Sequence, residues 1–433
     1  MPVDGPNPEV KLPHEQDSEP QVPTMDAVAR LKPWSALAYR DYRMLWISGV
    51  AQMITMQMRL LVTGVWLYEE TGSGVQLGLL GLVQLAVQLP AVLYGGALAD
   101  QIDRKKLMSY AQSVSFFLLI ALTVLVATDQ LLPWHIFATT AILGMASTLG
   151  NPARSALTAN VVPRTHLMHA VTTNTATFQV GAVVSPLVFA GTITTLGFPA
   201  TFAVATLFSI PGIILPLLIR VPGVPRGVVT EGSMLSRMWQ GFLFIKSHPI
   251  LPGLYIMDIG VTIVSHYRQI MPLMADRLFK AGPGAVGVMT AANSIGGIAG
   301  TFAVLFLTRF RAKGMLVMYA SLGFALLLIV LGFTTALWLG VVVLIGLGTT
   351  DAIGMATRQT TVQLTTPDNM RGRAVSFNNV SAMSANNIGT FEVGFMSDQI
   401  GAGYTMVLAG LVGILVVIVV WRSMRAIRDY RYP

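Results

Sequence analysis

Eight ionisable residues stand inside otherwise apolar stretches of this chain: Arg59, Arg154, Asp258, His266, Arg268, Asp351, Arg358 and Glu392. A charge in hydrocarbon costs about 2.5–3.5 kcal/mol on insertion scales, so such groups persist where they pair, face a water-filled path or meet a ligand. Arg59 shares a helical face with Gln52 and Thr63. That stripe can receive an anionic group, hold a carboxylate, or be a fixed structural pair. Asp258 repeats the spacing with Ser265 and Gln269, and Thr262 stands on the same face. A carboxylate there can take up and release a proton; alternatively it closes a salt bridge toward the inner face. Asp351 and Arg358 lie seven residues apart, roughly 10.5 Å along a helix axis. Each therefore calls for a partner on another helix. Arg154 and Arg358 read as gate residues near the inner ends of their segments. Glu392, on a stretch rich in Asn, is a second candidate proton carrier, and His266 is a further candidate because a free histidine changes charge near neutrality.

The chain that carries these groups has 433 residues, 53% hydrophobic and 11% charged, with a mean hydropathy of +0.64. Average soluble domains carry about 25% charged residues. A soluble globule is thus excluded, and an all-α polytopic membrane protein remains. The absence of cysteine removes thiolate catalysis, iron–sulfur ligation and cysteine-based zinc sites. The six histidines are scattered, and the chain has no phosphate-binding loop or defensible Ser/His/Asp arrangement. No metal or cofactor is expected, and the class expected is not an enzyme.

Twelve apolar segments are expected, at roughly 44–68, 76–99, 107–127, 134–161, 168–196, 200–219, 249–274, 286–308, 314–333, 336–360, 374–398 and 403–421. Each is long enough to cross a bilayer as a helix. The chain is expected to divide into a disordered cytoplasmic tail (1–43), a first six-helix bundle (44–220), a cytoplasmic linker (221–248), a second six-helix bundle (249–421) and a basic cytoplasmic tail (422–433). Arg104, Lys105, Lys106, Arg164, Arg220, Arg309, Arg371, Arg373 and Arg422 fall on one side, whereas the opposite loops hold only Arg277 and Lys280. The asymmetry places both termini in the cytoplasm. It also accounts for the net charge of +8 without nucleic acid. In the linker, Met234, Leu235, Met238, Trp239, Phe242 and Ile245 share a broad face, as expected of a helix lying on the membrane or packed as an ordinary linker.

The halves echo each other. Arg154, Pro163, Ala170 and Asn174 fall on Arg358, Pro367, Ala374 and Asn378 at a constant offset. Related halves enclosing a midplane site are an architecture of secondary transporters. Gly96, Asp100, Arg104 and Lys105 resemble the loop signature of the major facilitator superfamily, with Gln101 in place of a basic residue and Asp103 in place of glycine. Gly181, Pro186 and Gly191 resemble that superfamily's exporter motif, although Ser185, Phe189 and Ala190 replace three of its glycines. Arg40-Asp41, the run from Trp239 to Pro249, and the run from Pro367 to Arg373 look like the subgroup of enterobactin-type and macrolide-type exporters.

The resemblance implies twelve helices in two pseudo-symmetric bundles and alternating access in a bacterial inner membrane. It further implies gradient-driven, proton-coupled export of amphipathic small molecules such as drugs or a siderophore. The expected partners are lipid, substrate and protons; a monomer is favoured. Asp100 with Arg104 and Lys105 would then latch the inner ends of the two halves. A lysophospholipid flippase or a solute importer is the alternative within this fold. A membrane sensor or membrane enzyme is the alternative outside it.

Overall fold

The computed structural model describes residues 34–99, 102–222, 234–307, 310 and 312–431. After a 3-10 turn at Ser35–Ala38 come α1 (Arg40–Thr71), α2 (Gly74–Ala99), α3 (Arg104–Ala127), α4 (Pro133–Asn160) and α5 (Arg164–Leu217). The second half holds α6 (Met234–Ser247), α7 (Leu251–Ser265), a 3-10 turn (Tyr267–Ile270) and α8 (Met271–Arg277). It continues with α9 (Gly284–Phe306), α10 (Lys313–Phe333), α11 (Leu337–Thr365), α12 (Asp368–Ile400), α13 (Ala402–Ser423) and α14 (Arg425–Asp429). The protein is a multi-span membrane protein. Among the described residues, eight helices are long and apolar enough to cross a bilayer, or nine if one bent pair counts as a single span.

The difference from twelve separate segments has local causes. The fifth and sixth segments run together in α5, 54 residues long, and the break between them is a single residue, Gly197, at φ 75 and ψ −172. A glycine holds that left-handed conformation without steric cost. The seventh segment is broken at His266 (φ −78, ψ 67) and resumes in α8 with Pro272 in its first turn. α12 is long enough but polar, carrying Asn378, Asn379, Asn386, Asn387 and Glu392. The bent pair joins Met238–Ser247 to Leu251–Arg277 at 111°.

Several sequence features act at helix ends. α1 stops at Gly72, which takes φ 60 as a left-handed cap. Asp103, at the position where the superfamily pattern has glycine, caps α3 by accepting the Lys105 backbone N–H at 2.8 Å. Asp41 accepts the backbone N–H groups of Arg220 and Val221 at 3.0 Å each, tying the start of α1 to the end of α5. Pro163 and Pro367, paired in the repeat, both stand at helix N-caps, and Ala170 and Ala374 are both fully buried.

Lipid gives apolar side chains no reason to leave it, so packing comes from close approach of backbones. Gly296 of α9 abuts the Ile345 backbone of α11, Gly300 abuts Thr349, and the Thr349 hydroxyl donates to the Gly296 carbonyl at 3.1 Å. Outward faces stay apolar: Phe306 is 83% exposed and Trp338 70%. The linker helix α6 splits its apolar residues. Ile245 is buried and Phe242 meets Phe377 of α12 at 5.7 Å, while Leu235, Trp239 and Leu243 stay exposed.

Candidate functional site

Among the described residues, two main lines of contact join the halves, both toward the end that carries the α1–α2 turn. Along the first, α2 packs on α12: a Cβ on Gly81 would stand 2.6 Å from the Asn387 carbonyl oxygen, and one on Gly78 2.9 Å from the Phe391 Cα. Along the second, α5 packs on α9, where Gly287 abuts the Pro186 carbonyl and Ala190. Pro186 of the exporter-like motif is therefore buried at the seam between halves. Gly181 faces Met53 of α1, and Gly191 has nothing around it that a Cβ would meet.

Polar groups finish this closure. Asp398 of α12 accepts the backbone N–H groups of Gly74 and Val75 and the Ser73 hydroxyl, all at 2.8 Å. It thus caps α2 of the opposite half. Arg277 pairs with Asp398 at 3.4 Å and donates to the Gly72 carbonyl, and the Tyr68 hydroxyl donates to Asp276 at 2.9 Å. Asp398→Ala removes a cap worth about 1 kcal/mol and an ion pair. We expect it to raise thiol labelling of a single cysteine placed at Glu69 severalfold, a clean assay in a chain without cysteine. Unchanged labelling would show that the glycine seam holds this end shut alone.

Below the closure lie three adjoining hollows of about 540, 180 and 460 Å³, all bordered by His266 and Met355. The largest has Gln57, Leu61, Phe178 and Gln179 from the first half, and Arg268, Gln269, Asn293, Asp351 and Gln359 from the second. The break at His266 explains this richness. Interrupting α7 turns Arg268 and Gln269 into the space while Tyr267 is buried and accepts a 2.7 Å bond from Asn293. Discontinuous helices of this kind line binding sites in transporters.

Two ion pairs organise the floor and wall. Arg268 meets Asp351 at 2.9 Å, with both side chains about half exposed (52% and 47%). Arg358 meets Asp258 at 2.6 Å, both only 15% exposed. The second hollow connects the pairs and includes Ser265, whose hydroxyl donates to the Val261 carbonyl at 2.6 Å.

The structure brings together Asp258, Ser265, His266, Gln269, Asp351 and Arg358. It places the other candidates elsewhere. Gln52 and Arg59 border a separate pocket of about 50 Å³ inside the first half. The reason is helix phase: Gln57, Leu61 and Gly64 form the cavity face of α1, and Gln52 and Arg59 stand on the opposite side. Glu392 is not among the lining residues, and its half-buried carboxylate has one oxygen with no partner among the described residues. Arg154 reaches across α1, over Gly49, to donate to the Ser48 hydroxyl at 3.3 Å. It therefore differs from its repeat-mate Arg358, which has an acid. In the proposed latch, Asp100 lies outside the described residues. Gly96 belongs to α2, Arg104 opens α3, and Lys105 donates to the Ile219 carbonyl at 3.1 Å, within its own half. Among the described residues no His/Asp/Glu cluster could hold a metal.

Sequence reasoning noted Arg268 without giving it a role and missed Gln57, Phe178, Gln179, Asn293 and Gln359. For the four polar ones the only sequence signal is a polar side chain on an apolar helix, which does not say which face is turned inward; Phe178 has no signal that sets it apart from other apolar residues.

A family model described as transmembrane secretion effector matches residues 31–429. The enterobactin exporter EntS of Escherichia coli O1:K1 is 24% identical over 386 residues, covering 87% of this chain and 92% of that protein. The EntS of Shigella boydii serotype 18 matches to the same extent. Solved structures resemble the fold. A POT family transporter in complex with a thioalcohol-conjugated peptide has a TM-score of 0.72 at 10% identity, covering 93% of this chain and 100% of that one. The nucleoside transporter NupG reaches 0.69 at 14% identity, covering 90% and 100%. A bacterial homologue of the human lysosomal transporter Spinster, inward-facing and unoccupied, reaches 0.66 at 14% identity, covering 91% and 99%.

Proposed function

The chain belongs to the transmembrane secretion effector family of the major facilitator superfamily, and from that premise we propose that it is a proton-coupled exporter of amphipathic small molecules, a siderophore or drugs among them. It is a transporter and not an enzyme. In this reading twelve spans form two six-helix bundles in a bacterial inner membrane, with both termini cytoplasmic. The 33-residue α12 and the two arms of α5 each count as spans.

One observation carries the proposal: a cavity of about 540 Å³ between the halves, sealed at the α1–α2 end and holding a half-exposed Arg268–Asp351 pair. With the basic loops inside, the sealed end is the outer one and the cavity faces the cytoplasm. Its walls mix Leu61, Phe178 and Met355 with glutamines and an asparagine, which suits a ligand with apolar body and polar rim. A charged pair in that space offers a cation to an anionic substrate group and a carboxylate to a proton or cationic group. Asp258, paired and mostly buried, is the carboxylate best placed to link protonation to the opening of the second half. Export in preference to import follows the function of the curated relative and Pro186 at the seam.

Proteoliposomes with an imposed pH gradient test this. Addition of a siderophore or cationic drug should drive proton flux, and collapse of the gradient should stop it. If no such compound moves and no gradient dependence appears, the exporter reading fails.

A further inference from the structure

We propose that the first half holds a small inorganic anion, chloride being the commonest, in the pocket beside Arg59, away from the transport cavity. The pocket lies between α1, α3 and α4 and is bordered by Gln52, Thr55, Arg59, Gln112, Ser115 and Ser147. Among the described residues no carboxylate borders it, and the Arg59 side chain makes no ion pair or hydrogen bond with any of them. An unpaired cation inside a span is costly, and such residues normally have a partner.

Two neighbours share the deficit. Thr55 is 2% exposed and Gln112 5%, and the Thr55 hydroxyl and Gln112 Nε2 have no partner among the described residues. Many helical threonines of this chain turn their hydroxyls back to the carbonyl four residues earlier, as Thr63, Thr139 and Thr158 do. Thr55 does not, although its helix offers the same acceptor. A guanidinium, a carboxamide and a hydroxyl without described partners all belong to residues that border one pocket, and such a set of donors suits an anion.

Size limits the occupant. One water needs roughly 10–15 Å³ of such volume, so about 50 Å³ admits a monatomic anion with a water and excludes any drug or siderophore. Water alone would satisfy hydrogen bonds but leave the Arg59 charge uncompensated. The anion would thus act as a structural counter-ion that joins three helices of the first half.

The purified full chain should melt about 2–4 °C higher in sodium chloride than in sodium gluconate at equal ionic strength, saturating with chloride. Arg59→Gln should abolish the difference. Because that variant could fail to fold, Thr55→Val with Gln112→Leu, which keeps the arginine, should also weaken the response. Crystals grown in bromide should show anomalous scattering in this pocket. Absence of a chloride effect in the unaltered chain, its persistence in Arg59→Gln, or absence of bromide from the pocket would each overturn the proposal.

Discussion

Asp258→Ala is expected to abolish transport and to destabilise the protein by about 3–5 kcal/mol, the usual result of removing one member of a buried pair. Its partner Arg358 lies 2.6 Å away, both side chains are only 15% exposed, and the loss leaves a guanidinium without its counter-charge. Arg358→Ala should cost about as much, by stranding the carboxylate. The informative variant is the double one. Removing both charges relieves the desolvation penalty, so melting temperature should recover most of the loss while transport stays absent. Thermal unfolding in detergent and flux in proteoliposomes read the two quantities separately. Active transport by Asp258→Ala at the original rate would remove the pair from the mechanism.

Arg268→Gln should do the reverse: a small change in melting temperature and a large loss of flux. The Arg268–Asp351 pair is half exposed, and such pairs contribute about 0–1 kcal/mol to stability. The guanidinium nevertheless borders the cavity of about 540 Å³, where losing a contact of about 1.4 kcal/mol to substrate weakens affinity tenfold. Arg268→Lys keeps the charge but loses the planar fork, so it should recover flux only in part. A variant that melts several degrees lower yet transports at the original rate would make Arg268 a structural residue instead.

The two pairs were legible to different degrees. The seven-residue spacing of Asp351 and Arg358 on one helix shows that they cannot bond each other, and each has its acid or base on α7 or just beyond it. Which partner went with which could not be read, because Asp258 precedes and Arg268 follows the break at His266. The stripe of Gln269 with Asp258 and Ser265 assumed an unbroken helix. Gln269 reaches the cavity from within the 3-10 turn that follows the break and resets its phase. Arg59 shows the complementary failure: its stripe is real, but it faces α3 and α4.

The closure was less visible still. Asp398 caps a helix more than three hundred residues earlier in the chain, and nothing near either residue announces the other. The linker motif from Trp239 and the motif ending at Arg373 looked like separate marks of a subgroup. In the structure they touch, where a Cβ on Gly241 would stand 2.5 Å from the Arg373 carbonyl oxygen.

By itself, the sequence determined that this is a helical membrane protein, and where its intramembrane charges stand along each segment. Hydropathy, helix period and cap residues act within a turn or a single span, so one window of sequence contains them. Tertiary structure alone decided which face of α1 borders the cavity, which acid meets which arginine and which end is sealed. Those outcomes depend on helix rotation, on the backbone break at His266 and on glycine-to-carbonyl approaches between halves. Each joins residues far apart in sequence, whose positions are set only when the helices pack.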